Sequence, residues 1–444
     1  MPMKTYDVIA LGELLIDFTQ NGVSAQGNGL FEANPGGAPC NVLSMLNNLG
    51  KKTSFIGKVG KDQFGMTLKS ALEELGIGTD NLMMDDEIHT TLALVHTFED
   101  GDRDFSFYRN PGADMMLRAD ELSEDLIRDT RLFHFGTLSM THEGVREATV
   151  KAVTLAKEAG ALISFDPNLR EPLWDTLDHA KKEIRWGLGQ CDILKISDNE
   201  IQWLTGKEDF TEGVNEIRRE FPIPLILVSM GRDGSRAYYK DGYVEAAPFL
   251  QEHTIETTGA GDTFCACIIN YVLDHGLTDL TEDQLREMLT FANAAASIIT
   301  TKKGALRVMP TFEEVQSYLS AHTVRRMEGN TTRRKVTMEL FDKMNELAKN
   351  AASKTGEVLE DTRLKTQILN DEKSIRELQA KIGAFYYKKF AAGEAVEDEV
   401  AEFCTAISVH LANIEQKKAS MSSGKRAAQE KEEPAIEGND RPLD

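Results

Sequence analysis

Thr257-Thr258-Gly259-Ala260-Gly261-Asp262-Thr263-Phe264 is the stretch on which the fold turns. Two glycines flank an alanine and an aspartate follows at once. An apolar run from Phe264 to Val272 then ends at Asp274-His275-Gly276. This pattern predicts a tight turn opening a buried helix with a glycine stop. The free N–H groups of such a turn, with the positive end of the helix dipole, make an anion site. An acidic side chain beside an anion site repels the ligand, so stability does not account for Asp262. A base does: the carboxylate takes a proton from a hydroxyl while the amides hold the phosphoryl group under attack. A plain helix cap with Asp262 in its first turn stays open on this stretch alone.

The segments before the turn alternate in type. Residues 6–11, 53–59, 132–136, 162–166, 193–196 and 225–228 are short apolar runs that read as buried strands. Between them, 62–75, 144–159, 178–188 and a segment from Asn199 carry helical spacing, and a last core helix spans 283–300. Residues 91–98 and 103–109 alternate apolar and polar around Asp100-Gly101, and 236–244 turn at Asp241-Gly242, so both predict hairpins. Residues 21–31, rich in Gly and Asn, read as loop or frayed edge. The pattern is that of a doubly wound α/β domain with a small β lid drawn from about 13–33 and 88–110. Such sheets bind ligands at the carboxyl ends of their strands, where Asp166, Ser197, Ser229 and the 257–262 turn fall. Asp17 stands inside an apolar run and so is either paired or faces a polar ligand.

The chain of 444 residues has a formal net charge of −22, which argues against non-specific binding to nucleic acid or anionic membrane. No run reaches the length of a membrane span, and the start lacks a basic leader, so the expectation is a cytoplasmic protein. Five scattered cysteines, an odd number, suggest reduced thiols, and no histidine pair has ligand spacing. The composition changes after residue 322. Arg325, Arg326, Arg333, Arg334 and Lys335 mark a basic linker over 323–337, and apolar stripes over 338–417 with a turn at Ala391-Ala392-Gly393 predict a helical hairpin or coiled coil. Residues 418–444 read as disordered.

Pro35-Gly36-Gly37-Ala38-Pro39-Cys40-Asn41, Asp166-Pro167-Asn168-Leu169-Arg170 and Thr257-Gly259-Ala260-Gly261-Asp262 occur here in order, with Phe107-Tyr108-Arg109-Asn110-Pro111-Gly112-Ala113-Asp114 between the first two. On these motifs the segment from Tyr6 to about Leu319 resembles the ribokinase-like (PfkB) carbohydrate kinases, and among them fructokinase most. No Walker-type loop is present. The resemblance implies an ATP-dependent sugar kinase in residues 1–322 that acts on a primary hydroxyl, D-fructose being the leading substrate. Ribose, aminoimidazole riboside and 2-keto-3-deoxygluconate are rivals within the class, and a sugar-binding scaffold acting through the C-terminal hairpin is the rival outside it.

By position, the resemblance makes Asp262 the base, Gly259, Ala260 and Gly261 the anion hole, and Arg170 a charge on the phosphates. It assigns Asp17, Gly36, Gly37, Asn41, Arg109 and Asn168 to the sugar, and Lys195, Ser229, Gly231, Gly234, Asn293 and Gly304 to ATP. It links Glu200 to Mg²⁺ through water, although Ser197 replaces the usual Asn of that motif. Glu256 replaces the Asp that helps hold K⁺ in activated relatives, so K⁺ stays open. A homodimer through the lid is implied, and the hairpin is a candidate site for a protein partner.

Overall fold

The protein is described from a computed structural model covering residues 4–97, 103–251 and 253–322. The basic linker, the hairpin and the tail expected beyond residue 322 lie outside these residues.

Thirteen strands form two sheets. The first is β1 (Tyr6–Leu11), β4 (Thr53–Gly60), β5 (Gly78–Asp85), β8 (Thr130–Gly136), β9 (Leu162–Asp166), β10 (Ile193–Ser197), β11 (Leu225–Ser229), β12 (Ser235–Tyr239) and β13 (Gly242–Ala246). Its order is β13-β12-β11-β10-β9-β8-β1-β4-β5, parallel except for the β11-β12-β13 hairpin edge. Central strands such as β4 are buried throughout, as near-continuous apolar runs covered on both faces require.

Helices cover each face. On one side lie α1 (Ala38–Asn48), α2 (Gln63–Glu74), α8 (Ala260–His275) and α9 (Glu282–Ile299); on the other, α3 (Glu124–Arg128), α4 (Glu143–Glu158), α5 (Leu177–Leu188), α6 (Asp198–Thr205) and α7 (Phe210–Glu220). The period of two along a strand divides the core between them. Val8 and Ala10 of β1 pack with α1 and α8, whereas Ile9 and Leu11 pack with α4. This is the doubly wound, mostly parallel α/β architecture expected.

The second sheet is the lid, β3-β2-β6-β7, made of β2 (Leu15–Val23), β3 (Gly29–Gly36), β6 (Leu92–Thr97) and β7 (Arg103–Tyr108). The expected 91–109 hairpin is half of it. The other half, β2 and β3, falls largely in the expected 13–33 part of the lid, where residues 21–31, read as loop or frayed edge, are the adjoining ends of the two strands around a turn over 24–28. Most of β3 is exposed, so no apolar alternation marks it in the sequence. β5 went unread for a similar reason: it is an edge strand with only Asn81 and Leu82 buried.

Candidate active site

The parallel strands deliver their carboxyl ends to one rim, and α8 starts there. Its N-cap, Gly259, adopts φ 80° and offers no side-chain cap, and of the turn amides Ala260 N donates to the Thr257 carbonyl at 3.2 Å. A side chain at Gly259 would be strained in that conformation and would press on Ala305 and Met309. Thr257 and Gly261 form a wall shared by two cavities, of about 750 and 600 Å³.

The larger cavity is lined by ionisable and amide side chains. Asp262 is buried, and Asn41 Nδ2 donates to its Oδ2 at 2.8 Å. Burial pushes the Asp262 carboxyl above the ordinary aspartate range, against the Asn41 hydrogen bond and the charges of Lys195 and Arg170. Asn41 Oδ1 is buried without a hydrogen-bond partner in the protein, which leaves an acceptor for a donor from a ligand. Asp17 lines the same space and packs over Gly36, where a Cβ would collide with the Asp17 carboxylate. Gly37, Asn168, Arg170 and Gly259 complete the set that sequence brought here.

Two buried carboxyls in this region were not singled out as site residues. Glu13 follows β1, lines the cavity and accepts from Ala38 N at 2.8 Å, capping a helix whose N-cap residue supplies no side chain. Burial pushes Glu13 up to about 7, against the hydrogen bonds it accepts. Asp166, at the end of β9, pairs with Lys195 Nζ at 2.9 Å. Burial raises Asp166 to about 6 against the pull of Lys195. Burial draws the Lys195 ammonium down, but Asp166 and Glu200 outweigh it and hold it protonated. Beneath them His134, with Nδ1 3.1 Å from Ser164 Oγ, is kept neutral by burial and by Lys195, its pKa pulled down to about 3. The sequence signal for the pair was Lys195 itself, a charge inside the apolar run 193–196 that needs a buried partner.

Other expected site residues lie elsewhere. Arg109 is buried and donates to Asp114, Thr141 and the Leu138 carbonyl, and it does not line the cavity. Glu200 accepts from Leu169 N and from Ser197 N and Oγ, all at 2.8 Å, in a capping box on α6. Lys195 lines the polar cavity and not its neighbour. Among the described residues no group of three His, Cys, Asp or Glu side chains could hold a metal ion. A divalent ion here would therefore arrive with phosphate oxygens and keep waters, as Mg²⁺ does.

The smaller cavity has Ser229, Gly231 and Gly234 at one end and Phe249, Leu250, Ile255, Phe264 and Ala296 along its walls. Phe249 is backed by Tyr318 and His322, with ring centroids 5.7 and 5.6 Å away. Asn293 lines it too, but its amide serves the protein: Oδ1 accepts from Ser235, and Nδ2 donates to the carbonyls of Ala246 and Ala247. Glu256, also on this side, accepts from Gly304 N at 3.3 Å. Gly304 lines neither cavity. No helix among the described residues is long and apolar enough to cross a membrane.

Known proteins resemble this chain in sequence and in fold. Residues 6–312 match the family model described as pfkB family carbohydrate kinase. "Probable fructokinase-2" of Arabidopsis thaliana is 42% identical over 314 residues, 70% of this chain and 95% of the relative. A fructokinase of Xylella fastidiosa solved with bound ATP superposes with a TM-score of 0.66 at 28% identity, over 71% of this chain and 99% of that one. A double-mutant fructokinase of Vibrio cholerae O395, solved with fructose, ADP and potassium ion, gives 0.64 at 26% identity, over 72% and 100%.

Proposed function

The chain belongs to the pfkB family of carbohydrate kinases, and from that premise we propose that this sugar kinase transfers the γ-phosphoryl group of ATP to the primary hydroxyl of free D-fructose. The observation that carries the reading is Asp262, buried in the first turn of α8 at the wall between two cavities, with Asn41 fixing its carboxylate. One cavity suits a polyol and the other a nucleotide. Asp17 suits neighbouring hydroxyls, and Asn41 Oδ1 accepts a hydrogen bond from a hydroxyl as its missing partner. Apolar walls around Phe249 and Ala296 suit a base, and the Ser229–Gly234 turn suits phosphates.

In this reading Asp262 accepts the hydroxyl proton as the sugar oxygen bonds to phosphorus. The bond from phosphorus to the bridging oxygen breaks, and ADP leaves with that electron pair. The amides of Gly259 and Gly261 and the Arg170 guanidinium hold the charge that spreads over the equatorial oxygens, and the Ala260 amide, expected to join them, donates to the Thr257 carbonyl. Mg²⁺ bound with the phosphates would supply further neutralisation, and Glu200, whose oxygens are already taken, would meet it only through water. The 42% identity to a protein named as a probable fructokinase supports fructose over the other sugars. The test is ADP release with D-fructose, ribose, aminoimidazole riboside and 2-keto-3-deoxygluconate. Fructose should give the highest kcat/KM, and a different leading sugar would replace the substrate named here.

The same reading makes a second copy the partner of the lid, whose Val23, Leu30, Phe31 and Tyr108 are exposed. Light scattering at micromolar concentration should return a dimer, and a monomer would remove the partner.

A further inference from the structure

The lid is tied to the core where its strands begin and end, and one of those ties is a buried carboxyl that the transfer itself does not use. The β2–β3 pairing runs out at Leu15 and Gly36. Below it the two chains part: one comes from β1 through Glu13, and the other turns at Gly37 into α1. Glu13 Oε1 bridges the parting chains by accepting from Ala38 N at 2.8 Å. A cap usually comes from the residue at the helix start. Here α1 takes its cap from 25 positions upstream. Gly37 has no room to supply one: its φ is 129°, and a Cβ there would stand 2.4 Å from the Glu13 carbonyl oxygen. The other two crossings are tied alike. Asp114 accepts from Thr91, which precedes β6, and from Arg109, which follows β7.

Burying a carboxyl is costly unless a cation pairs with it. Arg109 lies near enough to act on the Glu13 carboxyl, but its donors go to Asp114, Thr141 and Leu138. What the long reach of Glu13 provides is a fixed distance. Just beyond Glu13 comes Asp17 on β2, and just beyond Ala38 comes Asn41 in the first turn of α1. Both line the polar cavity, Asp17 from the lid and Asn41 from the core, and Asn41 also holds Asp262. The bridge therefore sets the gap between the two arms that face the sugar, and seats the arm that holds the base. We propose that Glu13 is a positioning and specificity-determining residue of the sugar kinase: its carboxyl clasps the start of α1 to the root of β2, and the clasp fixes the spacing of Asp17 and Asn41 across the cavity. The proposal rests on the kinase reading above. Burial raises Glu13 to about 7, so near neutrality it is protonated much of the time, and glutamine reproduces its shape and its acceptor.

Glu13→Ala, Glu13→Gln and Glu13→Asp in the full chain test it, each assayed with D-fructose and with ribose. Glu13→Ala opens the clasp. It should lower kcat/KM for fructose by about 3- to 30-fold, the range of a lost N-cap. It should also lower the fructose-to-ribose ratio of kcat/KM by about threefold or more, because a loosened site loses most on the sugar it fits best. KM for ATP should stay within about twofold. Glu13→Gln should restore both sugar readouts to near the parent values. If Glu13→Ala does not fold, Glu13→Asp carries the test: it keeps the charge, but its oxygen falls short of Ala38 N by a methylene. A Glu13→Ala variant that melts lower while sugar preference and kcat/KM hold within about twofold would make Glu13 a cap and nothing more, and would overturn the proposal. So would a Glu13→Gln variant as impaired as Glu13→Ala, since charge and not the clasp would then be at work. The parent is assayed first. If another sugar leads, the ratio is taken between it and the runner-up, and the test stands. If no sugar is phosphorylated, the proposed function falls and this role falls with it.

Discussion

On one side of the Thr257–Gly261 wall, Asp17, Asn41, Arg170, Lys195 and Asp262 crowd a single polar cavity. On the other, Phe249, Leu250, Ile255, Phe264 and Ala296 surround a cavity whose polar groups at one end belong to a Gly-rich turn. The two differ in what they ask of the chain. The polar cavity needs particular side chains at fixed distances, gathered from segments more than 200 residues apart. Its neighbour needs shape, a turn and apolar cover, and draws on a few stretches between Ser229 and Thr300. Substitutions should therefore act on turnover in the first and on nucleotide affinity or stability in the second.

The sharpest way to break that contrast is Asp262→Asn. It keeps the shape and the wall but cannot take a proton, so kcat should fall by about 10²–10⁴-fold with sugar affinity retained. Turnover within a few-fold of the parent would remove the chemistry from the polar side. The pH profile sharpens the same point. Asp262 works ionised, and burial lifts its carboxyl above the ordinary range, so turnover should drop on acidification at a pH above that of a free aspartate. Asn41→Ala removes a hydrogen bond that lowers this value, and the acid limb should move to higher pH.

Glu13 offers a stability test in the same cavity. Its folded value of about 7 exceeds its unfolded one, so its contribution is fully present below the ordinary glutamate range and is lost as pH rises through 7. Glu13→Gln can still accept from Ala38 N but does not titrate. The Tm of the variant minus that of the parent should rise between pH 5 and pH 9, by the equivalent of at most about 3 kcal/mol. A difference that stays flat would mean that Glu13 ionises normally.

Asn293→Ala addresses the other cavity. Its amide joins α9 to Ser235 and to the carbonyls of Ala246 and Ala247, so its loss should cost about 1–3 kcal/mol. KM for ATP should change little. A tenfold rise in KM without a fall in Tm would return Asn293 to base recognition. The smallest effect is expected at the carboxyl end. A chain ending at His322 keeps every residue of both cavities and should phosphorylate sugar at close to the parent rate. Insolubility or lost activity would place part of the catalytic core beyond that point.

The same contrast decides what could be read in the sequence. Asp17 was legible because a charge inside an apolar run demands a reason. Gly36–Asn41 and Gly259–Asp262 were legible because turn, amide and carboxylate stand side by side in the chain. The Asp166–Lys195 pair and the Glu13 cap join residues 29 and 25 positions apart, and no spacing rule links them. Arg109 shows the converse. Its type and motif suit a sugar, but three protein acceptors, Asp114, Thr141 and Leu138, surround its guanidinium, which sequence could not count. The walls of the smaller cavity left no mark, because an apolar residue facing a nucleotide looks like one facing the core. β5 was lost, and residues 21–31 of the lid read only as loop or frayed edge, for want of a two-sided burial pattern.

Phe249, backed by Tyr318 and His322, gives the carboxyl end a mechanical meaning. Whatever grips the chain at His322, whether a surface, a bead or a fused reporter, takes its hold on the rings beside one wall of the smaller cavity. Of the three rings Phe249 lines the smaller cavity, and none of them lines the polar one. On the proposed function, a load applied at His322 is expected to move KM for ATP more than KM for the sugar, and one applied near Tyr6, at the far end of β1, to move neither.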